Sequence, residues 1–140
     1  DVYKRQILNK HCDMNSKQIK VNVKSFFLEE QSEPSEDNYI WAYKVYIKNN
    51  SMNTVKLVSR CWKIIDENGY QKEVRGDGVV GEQPILKPGE TFEYTSGTPL
   101  NTSSGLMHGS YFMTNEKGNK FEVKIPAFSL DIPNSKKIKN

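Results

Sequence analysis

Three glycines in the stretch RGDGVVGEQP, residues 75–84, have a spacing that binds phosphates in dinucleotide-binding proteins. Gly76, Gly78 and Gly81 follow the pattern G-x-G-x-x-G. In those proteins the glycine turn opens a helix whose N-terminal N–H groups hold the pyrophosphate. Here the chain continues as EQPILKP, and two prolines so close behind the last glycine leave no room for that helix. The sequence therefore excludes a dinucleotide-binding fold of this type.

Two interpretations of the glycine turn stay open. In the first, successive N–H groups form an anion-binding nest. The candidate binding residues are then Arg75, Gly76, Gly78, Gly81 and Lys87. In the second, the glycines only let the chain turn at positive φ, and at least one of them has that conformation. The second interpretation is simpler, because glycine's permissive backbone explains the spacing without a ligand.

Elsewhere the sequence offers no catalytic or metal-binding set. It lacks the H-E-x-x-H, G-x-S-x-G and P-loop motifs. His11, Cys12 and Asp13 are adjacent, and three adjacent side chains cannot close a tetrahedral metal site. The acids of EEQSEPSED, residues 29–37, lack the spacing that wraps a calcium or magnesium ion, which favours a solvated loop. We therefore expect no enzyme activity, no bound metal and no cofactor.

The composition indicates one globular domain and little affinity for nucleic acid. The chain has 140 residues, of which 36% are apolar and 11% aromatic, and no apolar run approaches the roughly 20 residues of a membrane helix. Of the net charge of +3, residues 133–140 contribute +3 and residues 1–13 contribute +1, which leaves −1 for the rest. Cys12 and Cys61 form no C-x-x-C motif. We expect free thiols, a cytoplasmic location and no membrane insertion.

The elements that position these residues are strands. Alternating apolar and polar residues predict strands over 19–23, 39–48, 55–65, 70–75, 91–95, 106–114 and 120–132. DENG, residues 66–69, predicts a hairpin, and TSGTPLNTSSG, residues 95–105, is typical of a loop. In the last strand the apolar positions change parity around Pro126, which indicates a bulge or bend on an edge strand. This pattern predicts an all-β fold, an antiparallel immunoglobulin-like or fibronectin type III-like β-sandwich of seven to eight strands.

The strand over 55–65 contains a charge on its predicted inner face. We place Val58, Trp62 and Ile64 inward, and the alternation brings Arg60 to the same side. A half-buried arginine either extends its head group to water near a strand end or pairs with a carboxylate.

Several segments resemble the bacterial ApaG family. They are SFFLEEQSEP, SRCWKIIDENG, EVRGDGVVGEQPILKPGETFEYTSGTPL, GLMHGSYFM and KFEVKIPAFSLDIP, which extend from about Val21 to Pro133. The run VVGEQP…PGE…YTSG is specific to the family. Ser103 departs from the pattern, because the family commonly has proline there, and this concerns only the rigidity of the local loop.

The resemblance implies a fibronectin-type β-sandwich without an established enzymatic activity. The family is named in connection with cobalt and magnesium efflux. Related domains occur in eukaryotic F-box proteins and in a polymerase-delta-interacting protein, which implies a protein-interaction module. The family's glycine motif, which has been read as a nucleotide or pyrophosphate site, maps to Gly76, Gly78 and Gly81.

These observations predict a flexible leader over residues 1–16, an ApaG-like domain over 17–133 and a basic flexible tail over 134–140. We expect an unidentified protein partner, with a phosphate-containing small molecule as the alternative ligand. Whether two copies pair through an edge strand stays open.

Overall fold

The computed structural model describes residues 16–132. Within them the chain forms eight strands: β1 (Ile19–Phe27), β2 (Tyr39–Asn49), β3 (Val55–Asp66), β4 (Gln71–Asp77), β5 (Ile85–Leu86), β6 (Thr91–Leu100), β7 (Ser104–Asn115) and β8 (Lys120–Asp131). Two short 3-10 helices, Glu29–Gln31 and Pro34–Glu36, lie in the acidic segment between β1 and β2. Apart from Ser16, the predicted leader and the predicted tail lie outside the described residues.

The strands form two antiparallel sheets that pack against each other. One sheet has the order β1-β2-β6, and the other has the order β4-β3-β7-β8 with β5 also paired to β3. The predicted all-β sandwich of seven to eight strands is confirmed. No helix in the described part of the chain is long and apolar enough to cross a membrane.

The core lies between the two sheets and is rich in aromatic side chains. The alternation that predicted a strand over 39–48 is present in β2, where Trp41, Tyr43, Val45 and Ile47 turn inward. From the other sheet, the Trp62 ring meets Tyr43 edge-on with ring centroids 5.3 Å apart. Burying a large apolar side chain completely stabilises the fold by about 1.5–3 kcal/mol, so these aromatic residues hold the sheets together.

The predicted bend in β8 is confirmed. The pairing of β8 with β7 changes register between Met107 and Gly109, opposite Pro126. The buried or half-buried apolar positions of β8 are Phe121, Val123 and Ile125 before the shift, and Phe128 and Leu130 after it. β8 is the last strand of its sheet, where the missing N–H of a proline does not interrupt the ladder.

The inward positions of β3 differ from the prediction. A bulge between Leu57 and Ser59 shifts the alternation by one residue. Val55 and Leu57 join the core before the bulge, and Trp62 and Ile64 join it afterwards. Val58, which was placed inward from the sequence, lies at the bulge and outside the core cluster, so that part of the prediction is wrong.

The predicted loop over 95–105 is also wrong, because β6 continues to Leu100 and β7 begins at Ser104. Thr98 lies opposite Trp41 in the pairing with β2 and is buried, as is Leu100. Burial and cross-strand pairing therefore override a composition that favours turns. Pro99 is tolerated because β6 is an edge strand.

The two edges of the sandwich differ. On one edge β1 lies against β8, and the Ser25 hydroxyl donates to the carbonyl of Ser129 over 3.2 Å. On the opposite edge β4 and β6 are the last strands of their sheets, and a cavity opens between them. This second edge leads to the functional residues.

Candidate functional site

The glycine turn, residues 76–82, connects β4 to the segment before β5. Gly78 and Gly81 have φ angles of 60° and 81°, which confirms that at least one of the three glycines adopts positive φ. Val80 also has a positive φ, of 44°. A bridge between Val79 and Glu82 closes the turn.

Backbone amides of the glycine turn bond to the protein's own carbonyl groups. The amide of Gly78 donates to the carbonyl of Val58 over 2.7 Å. The amides of Val79 and Glu82 each donate to the other residue's carbonyl, over 2.8 and 2.9 Å. A nest holds an anion with N–H groups that converge on it. These three amides instead fix the turn and attach it to the bulge of β3.

The residues of the predicted anion site are spread along the sheet. Arg75 forms an ion pair with Glu73, with 2.9 Å between Nη2 and Oε1. Arg75 and Lys87 both lie beside β3 but at different levels. Leu86, the residue before Lys87, pairs with Val55, whereas Arg75 pairs with Cys61. At about 3.3 Å per residue along β3, Arg75 and Lys87 are roughly 20 Å apart. Phosphate binding by this set of residues stays a prediction.

The thiol of Cys61, in β3, lies beside the Arg75–Glu73 ion pair on the outer face of the sheet. Its Sγ donates to Glu73 Oε1 over 3.3 Å. Burial and this hydrogen bond raise the pKa of the Cys61 thiol, while hydrogen bonds from Cys61 and Arg75 lower the pKa of the Glu73 carboxyl. Cys61 is therefore a neutral thiol and a poor nucleophile at neutral pH.

Gly76 makes room for the side chain of Arg60. A Cβ atom at Gly76 would lie 2.7 Å from Nη1 of Arg60. The same Nη1 donates to the carbonyls of Asp77 and Gly78, over 3.1 and 2.9 Å. Arg60 lines the same cavity as Trp62, as its predicted inward orientation requires. Its partners among the described residues are main-chain carbonyls, so of the two expected arrangements the pairing with a carboxylate is not found there.

Arg60 lines a cavity of about 250 Å³ between β4 and β6, which we call the Arg60 cleft. Lys72 and Val74 of β4 form one wall, and residues 96–99 of β6 form the other. The polar side chains that line the cleft are Arg60, Lys72, Tyr43, Ser96 and Thr98. Among residues 16–132, none of those that line the cleft is acidic.

Three tyrosines continue from the cleft into the core. The hydroxyls of Tyr94 and Tyr111 share a hydrogen bond of 2.5 Å, and both residues are buried. Burial raises the pKa of Tyr43, Tyr94 and Tyr111, and the nearby charge of Arg60 offsets part of this rise. The three phenols are therefore neutral at physiological pH, so their O–H groups remain hydrogen-bond donors.

Sequence reasoning missed most of this cleft. The sequence contained one indication of the cleft, because the alternation in strand 55–65 places Arg60 on the same face as Trp62. Ser96 and Thr98 fall in the segment interpreted as a loop, and Lys72 was not among the candidate binding residues. Nothing in the sequence indicated that β4 and β6 would face each other across an open edge.

A second concavity, the Phe112 groove, has a volume of about 430 Å³ and a mostly apolar lining. It is lined by Val58, Ser59, Phe112, Met113, Thr114, Lys120 and Phe121. Two exposed apolar residues lie nearby, Val80 at 53% and Ile85 at 61% exposure. Ile85 pairs with Lys56, and Lys56 pairs on its other side with Thr114, which lines the groove. Val80 belongs to the glycine turn, which is hydrogen-bonded to the groove residue Val58.

Metal-ligating side chains do not cluster in the described part of the chain. Within residues 16–132, no three His, Cys, Asp or Glu side chains lie close enough to hold an ion. The acids of the 29–37 segment are exposed. His11, Cys12 and Asp13 lie outside the described residues.

Comparison with known proteins gives the same result for sequence and for fold. Residues 29–115 match the family model of the ApaG domain. Over 122 residues the chain is 57% identical to Protein ApaG of Brucella canis, an alignment that covers 87% of this chain and 94% of that protein. The crystal structure of an ApaA protein from Bordetella pertussis superposes with a TM-score of 0.81 at 48% identity, over 82% of this chain and 94% of that one. The resemblance noted in the sequence is thus confirmed, and the chain belongs to the ApaG family.

Proposed function

We propose that this ApaG-family chain is a non-enzymatic protein-interaction module of the cytoplasm, and that it binds its partner through the Phe112 groove. The observation that carries the proposal is the pair of exposed aliphatic side chains, Val80 and Ile85, beside an apolar groove. Exposed apolar surface next to a concavity is typical of sites that bind other proteins.

The conformation of Val80 supports this proposal. A β-branched residue at positive φ is rare, because its Cβ crowds the backbone. Such strained residues cluster at binding sites, where the surrounding structure holds them in place. Here the turn's own hydrogen bonds hold Val80 with its side chain exposed rather than packed in the core.

The expected partner is a peptide segment with a bulky apolar side chain next to an acidic residue. The apolar side chain would fill the groove between Val58 and Phe112, where full burial contributes about 1.5–3 kcal/mol. Lys120 lines the groove and Lys56 lies between Ile85 and Thr114, so the acidic residue would contact this end of the groove. The other end has acids of its own, because Glu122 pairs with Phe112 and Asp77 pairs with Ser59. In this proposal the family's connection with cobalt and magnesium efflux depends on the partner and not on an ion bound by the sandwich.

Capture from a bacterial lysate tests the proposal. We expect the wild-type chain to retain a protein that Ile85→Glu loses, with the affinity for the identified partner at least tenfold lower, about 1.4 kcal/mol. Tyr70→Glu is the matched control, because Tyr70 is 69% exposed and lies at the β3–β4 hairpin, away from the groove. Repeated absence of a captured protein, or equal capture by both variants, would contradict the proposal.

Phosphate or nucleotide binding at the glycine turn is the alternative function. The Arg60 guanidinium favours it, because its bonds to Asp77 and Gly78 add positive charge beside the turn. Calorimetry with pyrophosphate and ATP tests this function, and a binding heat that Arg75→Gln abolishes would support it. Absence of heat at millimolar ligand would eliminate it, since millimolar affinity still corresponds to about 4 kcal/mol.

A further inference from the structure

The Arg60 guanidinium keeps part of its hydrogen-bonding capacity. A guanidinium has five N–H donors, and the two hydrogen bonds that Arg60 makes with described residues both start from Nη1. Within residues 16–132 no carboxylate forms an ion pair with it. Carbonyl groups accept hydrogen bonds but do not neutralise the charge, so Arg60 brings to the cleft a positive charge that has no counterion among the described residues.

Lys72 adds a second positive charge to the same cleft. Lys72 of β4 pairs with Ile64 of β3, whereas Arg60 of β3 pairs with Gly76 of β4. The two cations therefore lie at opposite ends of the wall that β4 forms. Lys72 likewise forms no ion pair in the part of the chain that the structure describes. Two like charges that line one cavity without an acid attract anions into it.

The opposite wall supplies hydroxyl groups. Tyr43 lies directly opposite Ser96 in the β2–β6 pairing, and Thr98 is on the same face of β6 as Ser96. The Thr98 hydroxyl donates to the carbonyl of Pro99 over 3.1 Å, so the donors on this wall are Tyr43 and Ser96. Burial raises the pKa of the Tyr43 phenol, and a side-chain hydrogen bond with Ser96 offsets part of this rise, so the phenol keeps its proton. Oxygen anions are commonly held by this combination of cations and hydroxyl donors.

We propose that the Arg60 cleft is a binding site for a small organic oxyanion, whose carboxylate or phosphate group is held by Arg60, while Lys72 at the other end of the β4 wall adds to the positive potential that attracts it. Arginine binds both groups in a two-pronged arrangement that other side chains do not match. The volume of about 250 Å³ is below the range of drug-sized ligands, and the half-buried side chain of Val74 offers an apolar surface to the ligand's carbon atoms. This proposal does not depend on the protein-interaction role.

Nuclear magnetic resonance titration of the labelled full-length chain tests the site with two probes, succinate and inorganic phosphate. We expect millimolar probe to shift the amide signals of Ser96, Gly97 and Thr98 and the indole signal of Trp62. Comparing the two probes shows whether the cleft prefers a carboxylate or a phosphate. Shifts confined to the glycine turn, or no shift with either probe, would overturn the proposal.

Charge-neutralising variants locate the binding. We expect Arg60→Gln to weaken the affinity about tenfold or more, because a charge-assisted hydrogen bond is lost. Since Arg60 also bonds to the turn, Lys72→Gln gives a second test at an exposed residue, with a loss of about threefold. Lys117→Gln removes the same charge at an exposed residue between β7 and β8, outside the cleft, and should leave the affinity unchanged. An equal loss in Lys72→Gln and Lys117→Gln would show unspecific attraction and overturn the proposal.

Discussion

The glycine turn and the Arg60 cleft meet at Gly76, which begins the turn and lies against the Arg60 guanidinium. The two regions differ in whether their polar groups have partners within the protein. In the turn, the amides of Gly78 and Val79 bond to carbonyls of the same chain. In the cleft, Arg60 presents a charge that no described carboxylate neutralises. The glycine spacing thus reflects the conformations that the backbone needs, whereas the site suited to an anion is marked by charged side chains on two neighbouring strands.

The largest expected loss of stability tests whether the glycines of the turn serve the backbone conformation. Gly78→Ala places a Cβ against the carbonyl oxygen of Glu82 at a residue with a φ of 60°. Both the left-handed conformation and the clash oppose the substitution, and we expect a loss of about 2–5 kcal/mol in the free energy of unfolding. Urea denaturation measures it.

Gly81→Ala is the control for that prediction. Gly81 has a φ of 81°, but no atom lies within 4 Å of the added Cβ. Only the conformational term remains, about 1 kcal/mol. If both variants lose the same stability, the clash with Glu82 contributes nothing and the packing of the turn is wrongly described.

An intermediate effect is expected at the inner end of the cleft. Tyr94→Phe leaves the buried hydroxyl of Tyr111 without its partner, which costs about 1–3 kcal/mol at neutral pH. Because burial raises the pKa of Tyr94 and Tyr111 in the folded state, their contribution is complete below the unfolded pKa near 10 and is lost as the pH rises further. Denaturation in urea from pH 8 to pH 11 (about the range of tyrosine ionisation) should show a steeper alkaline decline in the wild type than in the variant. Equal declines would contradict this assignment.

The smallest effect on stability is expected at the residue that the two regions share. Gly76→Ala displaces the guanidinium of Arg60, which is the mobile end of a long side chain, and Gly76 has no positive φ. We expect a loss of about 1 kcal/mol or less in unfolding free energy, together with weaker succinate binding in the cleft. If stability falls as far as in Gly78→Ala, Gly76 serves the turn and not the cleft.

Strand periodicity predicted the fold well where the sheets are regular. The alternation around Trp41 and Tyr43 and the change of parity at Pro126 are both present in the structure. The bulge at Val58 was not predictable from the local pattern, because the partners of its carbonyl lie far along the chain: it accepts from the Gly78 amide and from the Gln83 side chain. The alternation alone could not reveal this.

The candidate site was harder to predict, because its residues meet only through tertiary structure. Alternation did place Arg60 beside Trp62, but its carbonyl partners come from Asp77 and Gly78 on the neighbouring strand and turn. The composition around Ser96 favours a loop, and only pairing with β2 makes it a strand whose hydroxyl faces the cleft. The candidate ligand site therefore depends on pairings that local sequence does not encode.

The bend at Pro126 affects how copies of the chain can associate. β8 ends its sheet, so its outer side would otherwise be a template for a strand from another molecule. A proline without an N–H group and a break in register interrupt that template near the middle of the strand. Ordered growth of the sheet into fibrils is thereby discouraged at this edge. A dimer formed here would be held by side chains rather than by a continuous ladder of main-chain hydrogen bonds.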